Sequence, residues 1–303
     1  MMKNTEFQDK IVTLLPGIQL LINEPLSKHT SFRIGGPASV MAMPKSPEEL
    51  NEILKVSALL DCKIAILGAG TNVLAADNGF DGLVICLKDC LAGMERLDET
   101  HIRVAAGVTM TRAALFAAGL GLSGLEFAHG IPGSVGGGVY MNAGAYGGEL
   151  FQVVQSVDVM DRAGNIRTLS NEQMGFSYRH SILEESGDIV LSAVFGLTPA
   201  PEAQIREKMQ DLMQRRKTSQ PLEYPSAGSA FKRPKVGYAA ALIDETGLKG
   251  YQIGDAAVST KHAGFVVNLG NATANDVKQV LADVAQKVLD RTGILLEPEV
   301  RIW

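Results

Sequence analysis

Two glycine-rich stretches and three polar clusters are the parts of this sequence whose residue types could do chemistry. The first stretch is GAGTNVL at 68–74, and the second is GIPGSVGGGVYMNAGAYGGE at 130–149. Glycine loses more conformational freedom on ordering than any other residue, so such density answers a geometric need that side chains would block. A flexible linker is a poor account of the second stretch, because Ile131, Pro132, Val135, Val139, Tyr140, Met141 and Tyr146 are interleaved with its glycines; linkers mix glycine with serine and other polar residues. Closely spaced backbone N–H groups bind anions, and two such loops could wall a diphosphate without Lys or Arg. In the first stretch Gly68 and Gly70 keep G-x-G, but Val73 replaces the third glycine of the dinucleotide fingerprint, and no Gly-Lys-Ser/Thr follows. In the second, Pro132 stands where G-x-S-x-G needs glycine, so Ser134 reads as a phosphate or backbone hydrogen-bond donor rather than a nucleophile.

The polar clusters are Tyr178-Arg179-His180-Ser181, SAGSAFKRP at 226–234 and LEPEVRIW at 296–303. Ser229 sits among small residues with Lys232 and Arg233 close behind; a turn or capping serine is the plain alternative. Glu297, Glu299 and Arg301 alternate along an extended segment, which puts them on one strand face. An edge-strand ion network and surface charge are the plain readings of the last and first clusters.

The elements that must position these residues are legible in part. At 46–60, Ser46 is an N-cap, Pro47 takes the first helical position and Glu49 completes a capping box, with Leu50, Ile53 and Leu54 on the stripe. A strand at 38–43 before that helix and KIAILGAG after it make a β-α-β unit. GFDGLVICL, HIRVAAGV and DIVLSAVFGLTP read as further strands, and 107–122 as a helix. VVQSVDVMDRAGNIRTLS alternates about a turn at 162–165, as a hairpin does. After a Pro-Ala-Pro hinge at 199–201, Ile205, Met209, Leu212 and Met213 recur at helical spacing. The last helix, from Thr273 to about Arg291, carries a capping pair Thr273/Asp276, the stripe Val277, Val280, Leu281, Val284, Val288 and Leu289, and the terminator Gly293.

Composition excludes several classes. The 303 residues are 46% hydrophobic and 20% charged, which fits a soluble globular protein of two or three domains. A net charge of −5 without a basic run gives no footprint for nucleic acid or an anionic membrane. No segment approaches the roughly 18 to 20 apolar residues of a spanning helix, and no leader is visible; a cytoplasmic protein is expected. The three cysteines, Cys62, Cys86 and Cys90, lack zinc spacing and read as reduced thiols, and the five histidines form no ligand pattern.

Taken together, HTSFRIGGPA at 29–38, GAGTNVL, GLEFAHGIPGSVGGGVYMNAGAYGGE, FSYRHS, QPLEYPSAGSAFKRP, ETGLKGYQIGDAAVSTKHAGFVVN and LEPEVRIW resemble the UDP-N-acetylenolpyruvoylglucosamine reductase family over nearly the whole chain. The chain is similar to the shorter subclass, because one short segment after Ser181 leaves no room for the tyrosine-bearing loop of the longer one. The resemblance implies an α+β protein: an FAD-binding two-lobe fold of the vanillyl-alcohol-oxidase (PCMH) type plus a C-terminal α+β substrate domain. The expected division is 1–87 rejoined by 297–303, then 88–199, then 200–296 for substrate. It implies non-covalent FAD contacts from Arg33, Gly68, Gly70, Thr71, Asn72, Leu74, Gly130, Pro132, Gly133, Ser134, Gly136, Gly137, Asn142 and Gly144. Gly138 stands where this subclass often has alanine, which is expected to loosen the segment. The resemblance also implies a catalytic trio of Arg179, Ser229 and Glu299, with Glu299 taken over Glu297 because it directly precedes Val300-Arg301. Substrate contacts are expected from Lys217, Lys232, Arg233 and Tyr238, with NADPH as co-substrate, a UDP-sugar as substrate, no metal and a monomeric state. Another flavin oxidase or dehydrogenase of this fold, with His129 as covalent anchor, and a non-catalytic flavin-binding protein are the alternatives.

Overall fold

A computed structural model describes residues 4–88 and 90–303. The protein is α+β and divides into two compact units. The first takes the chain up to Ile22, Val40–Ala69 and Gly82–Arg215; the second takes Asn23–Ser39, Gly70–Asp81 and Arg216–Trp303.

In the first unit, helix Pro47–Leu59 begins as its sequence dictates: Ser46 Oγ accepts the Glu49 N–H at 3.3 Å. The Glu49 carboxylate reaches one residue further back than a capping box does, to the Lys45 N–H at 2.7 Å. The β-α-β reading needs one amendment. Strand Phe80–Cys86 lies between Pro37–Met43 and Ile64–Leu67, and it runs parallel to the latter. A five-stranded antiparallel sheet follows, containing the expected hairpin Val154–Met160/Ile166–Ser170, strand Ile189–Gly196 and strand His101–Ala105. The helix expected at 107–122 is Met110–Gly119, shortened because Thr109 takes the cap, accepting the Arg112 N–H at 3.2 Å. It buries Ala113, Ala114, Ala117 and Ala118, small residues that let the chain pack closely.

Helix Ala274–Thr292 organises the second unit. Thr273 and Asp276 make the reciprocal capping box, and Gly293 ends the helix at φ 72°, a conformation glycine adopts without penalty. Val277, Val280, Val284 and Val288 have no exposed surface and pack with Ile243, Val258 and Val266; each such burial is worth about 1.5 to 3 kcal/mol. Asp77 accepts the N–H groups of Ala274 and Asn275 at 2.7 and 3.1 Å, giving the helix a second cap from a distant loop. The sheet of this unit runs Ser226–Ser229, Phe265–Asn268, Ala256–Val258 and Gln252–Ile253.

Candidate active site

The glycine-rich stretch lies wholly in the first unit. Within it, Val135–Tyr140 forms a short helix where the sequence reads as loop, with Ser134 as N-cap accepting the Gly137 N–H at 3.3 Å. Ser134 is 2% exposed, so its oxygen serves the backbone. Several glycines are required by the protein's own packing. A Cβ on Gly136 would stand 2.9 Å from Ala106 Cβ, one on Gly144 2.7 Å from the Gly148 carbonyl, and one on Gly148 2.5 Å from the Phe127 ring. Gly138 is likewise filled, by Met110 Sδ 2.9 Å from where its Cβ would be, so glycine here admits a neighbour rather than loosening the segment. Gly68 faces the same stretch: its Cβ would lie 2.6 Å from Ser134 Oγ.

Gly133 turns at φ 139°, and the N–H groups of Gly130, Gly133 and Ser134 donate to no acceptor among the described residues. Adjacent unspent N–H groups on backbone bared by glycine are a fit for a diphosphate, and in this respect the stretch suits FAD. Pro132 lies exposed between Gly130 and Gly133.

Asn142 is engaged within the protein instead. It is 1% exposed at φ 43°, and its Nδ2 donates to Glu149 Oε2 and the Ser177 carbonyl at 3.0 and 2.9 Å, while Oδ1 accepts the Phe151 N–H at 3.0 Å. Its polar atoms hold protein together, and they tether the turn that carries Arg179. In that turn Ser177 and His180 exchange backbone hydrogen bonds, and Ser181, fully buried, donates to the Tyr140 carbonyl at 2.8 Å. Arg179 sits at the tip with φ 56°, an uncommon conformation for a long side chain. Its guanidinium lies 4.9 Å from the Tyr178 ring and 3.5 Å from the Gly144 carbonyl. Strained residues so tethered cluster at functional sites.

His129 is held by its backbone, its carbonyl accepting Thr111 Oγ1 at 2.7 Å. Nδ1 is buried without a partner among the described residues, and burial pulls the ring's pKa down. An atom without accessible surface offers no attachment point, which counts against covalent linkage of flavin through Nδ1.

The second unit holds the other cluster. Ser226–Ser229 is interrupted by a register shift, with Gly228 at φ 76°, and Ser229 is exposed at its end. The following residues pair with the C-terminal segment: Glu299 N–H donates to the Ala230 carbonyl at 2.9 Å, Lys232 N–H to the Glu297 carbonyl at 2.8 Å, and Phe231 bridges Pro298. This pairing sets Glu299 opposite Ala230, the neighbour of Ser229. Glu297 is 70% exposed and its carboxylate lies 3.5 Å from Lys232 Nζ, so it is occupied at the surface. The extended segment expected over 297–301 is regular strand only at Arg301–Ile302, which runs parallel to Val73–Leu74.

The residues 70–74 support that segment. Asn72 Nδ2 donates to the Glu299 carbonyl at 3.1 Å and its own carbonyl accepts the Arg301 N–H at 2.9 Å. Leu74 is fully buried in the unit's core, and Thr71 is half-buried. Gly70 has φ 63°, and a Cβ there would collide with the His29 carbonyl. Arg33 is exposed at φ 57° in a turn closed by its N–H on the Thr30 carbonyl. Two residues not singled out from sequence also act here: Ser31 Oγ donates to the Ser226 carbonyl at 2.6 Å, and Asn268, 2% exposed, donates to the Phe32 carbonyl at 3.1 Å. Asn268 is signalled only by its polarity within the apolar run FVVNL, and Ser31, between Thr30 and Phe32, carries no signal of its own. Of the expected substrate residues, Arg233 stacks on Tyr238 at 4.4 Å, Lys232 pairs with Glu297, and Lys217, exposed, receives Lys261 Nζ on its carbonyl at 2.9 Å.

Residues 38–170 match an FAD binding domain, and residues 220–303 match the C-terminal domain of UDP-N-acetylenolpyruvoylglucosamine reductase. The chain is thus an α+β FAD-binding protein. It is 46% identical over 310 residues to the UDP-N-acetylenolpyruvoylglucosamine reductase of Agathobacter rectalis, covering 99% of this chain and 98% of that protein. With the enzyme of Lactobacillus acidophilus the identity is 47% over 286 residues, covering 94% and 95%. The crystal structure of the Thermus caldophilus enzyme matches with a TM-score of 0.79 at 34% identity, over 94% of this chain and 98% of that one. The chain belongs to the UDP-N-acetylenolpyruvoylglucosamine reductase family.

Proposed function

We propose that the protein reduces UDP-N-acetylenolpyruvoylglucosamine to UDP-N-acetylmuramate with NADPH as the reductant, a step of peptidoglycan synthesis and hence of cell wall biogenesis, cell shape and division. The observation that carries the reading is near-full-length kinship with enzymes of that name, in a chain whose 230–232 segment pairs with 297–299. FAD, held non-covalently, supplies hydride transfer from the nicotinamide to the enol ether. The protein must then stabilise charge that develops in the neighbouring carboxylate and protonate C2.

Arg179 is suited to stabilising that charge, because its planar fork stays charged and binds a carboxylate bidentately, and the Asn142-tethered turn presents it. Ser229 gives the proton at C2. A hydroxyl is a weak acid, so it serves because the acceptor, an enediolate, is strongly basic. Glu299 orients the carboxylate and contributes its own proton or its pairing with a cation, since a bare carboxylate there would repel the charge. Lys217, Lys232, Arg233 and Tyr238 bind the UDP-sugar, and Arg33 with the glycine loops binds the cofactor. The proposal includes the three-part division given above and a monomer in the cytoplasm, where nucleotide sugars and NADPH are available.

The test is direct. The purified protein is expected to be yellow, to release its flavin into the supernatant on acid precipitation, and to oxidise NADPH when the UDP-enolpyruvyl sugar is added. A colourless protein, or oxidation indifferent to the sugar, overturns the reading.

A further inference from the structure

Beside Ser229, the residues 259–265 make a tight turn that none of the roles above uses. Ser259 is buried, and its Oγ accepts the N–H groups of Lys261 and His262 at 3.1 and 3.3 Å. The turn closes through Ser259 N–H on the Phe265 carbonyl at 2.9 Å and Phe265 N–H on the His262 carbonyl at 3.0 Å. His262 Nδ1 accepts the Gly264 N–H at 3.1 Å, and the ring stands edge-on to Phe265, centroids 5.1 Å apart and planes at 75°. The next corner is tight: a Cβ on Gly264 would lie 3.0 Å from His262 Cε1 and 3.1 Å from Ala240 Cβ, so its neighbours would have to give way by a few tenths of an ångström.

This order passes straight to Ser229. The Gly264 carbonyl accepts the Ala230 N–H at 2.8 Å, and Phe265 lies opposite Ser229 in the ladder. On the N-terminal side of Ser229 the ladder slips and Gly228 turns at φ 76°, and regular pairing resumes only at Ser226. The Ser229–Ala230 segment is therefore held on one edge by Gly264 and Phe265, the two residues His262 holds, and on the other by the pairing of Ala230 with Glu299.

We infer that His262 is a positioning residue for Ser229: its Nδ1 and its ring fix the carbonyl and the residue from which the Ser229–Ala230 segment hangs. The inference rests on the reading of Ser229 as the proton donor. An acceptor at Nδ1 requires the neutral ring with its proton on Nε2, and burial holds the pKa of His262 below its ordinary value, which favours that form. Displacement of a reacting group by about 1 Å costs up to about a hundredfold in rate.

Three variants of the full-length, FAD-loaded protein test this. His262→Phe keeps a ring on Phe265 but has no acceptor; His262→Asn offers an amide oxygen at about the place of Nδ1; Ser229→Ala is the reference. Each is mixed rapidly with NADPH and then with the UDP-enolpyruvyl sugar, while flavin absorbance is followed. His262→Phe is expected to leave the first step unchanged and to slow the second by about ten- to a hundredfold, and His262→Asn to recover most of that loss. A second step unchanged in His262→Phe, both steps slowed alike, or no recovery in His262→Asn overturns the role of His262. If Ser229→Ala itself slows both steps alike or neither, the proton-donor reading falls; if Ser229→Ala is selective and His262→Phe is inert, only the role of His262 falls.

Discussion

The glycine stretch of the first unit and the Ser229–Glu299 cluster of the second build their sites by opposite means. On the proposed reading the glycine stretch acts through its backbone, with side chains removed so that N–H groups lie bare, and the same glycines let Ala106, Phe127 and Met110 pack against the chain. The Ser229 cluster, on the same reading, acts through its side chains, and backbone pairing between 230–232 and 297–299 contributes to their positioning. The first design couples cofactor binding to folding, so damage to one damages both. The second separates them, because Ser229 is exposed and its replacement empties no core.

The sharpest way to break that contrast is at the two neighbouring glutamates. Glu299→Gln is expected to lower turnover by about a hundred- to a thousandfold with flavin retained, while Glu297→Gln, which loses only an exposed pairing with Lys232, stays near wild type. Steady-state rates of the two variants check it; equal losses would erase the distinction. Next in size is Gly136→Ala. With its Cβ 2.9 Å from Ala106 Cβ, overpacking should cost about 1 to 3 kcal/mol, read as a lower Tm together with weaker FAD retention. A loss of one without the other would uncouple what the first design joins.

The smallest expected effect concerns His129. Its folded pKa is lowered by burial from the ordinary 6.5, so between that value and the lower folded one the unfolded chain binds more protons. Stability therefore rises with pH through this window and is lost as pH falls below about 6.5. Comparing Tm at pH 5.5 and 7.5 should give a flatter dependence for His129→Leu than for the wild type.

Local signals were the legible ones. Thr273 with Asp276, Ser46 with Glu49, and the turn at 162–165 each specify their element within a few residues. What failed was long-range pairing or cryptic composition. Nothing in GFDGLVICL says that it inserts between two strands adjacent in sequence. Glycine is a poor helix former, which hides Val135–Tyr140 until its cap and packing are seen. Helix Asn4–Leu14 and strand Gln19–Pro25 are also weakly signalled; the helix has a narrow buried face of Phe7 and Ile11, and the strand is only partly buried. The site was readable as motifs because each is a short run of unusual residues. The roles of Asn72 and Asn142 were not, since their hydrogen bonds reach segments remote in sequence.

The central claim is that Ser229 delivers the proton to the substrate and has no part in hydride transfer from NADPH. Anaerobic rapid mixing of Ser229→Ala separates the two events. The expected result is bleaching of the flavin by NADPH at the wild-type rate, followed by recovery of colour on addition of the UDP-enolpyruvyl sugar that is slower by about a hundredfold or more. Equal slowing of bleaching and recovery, or recovery at the wild-type rate, would contradict it.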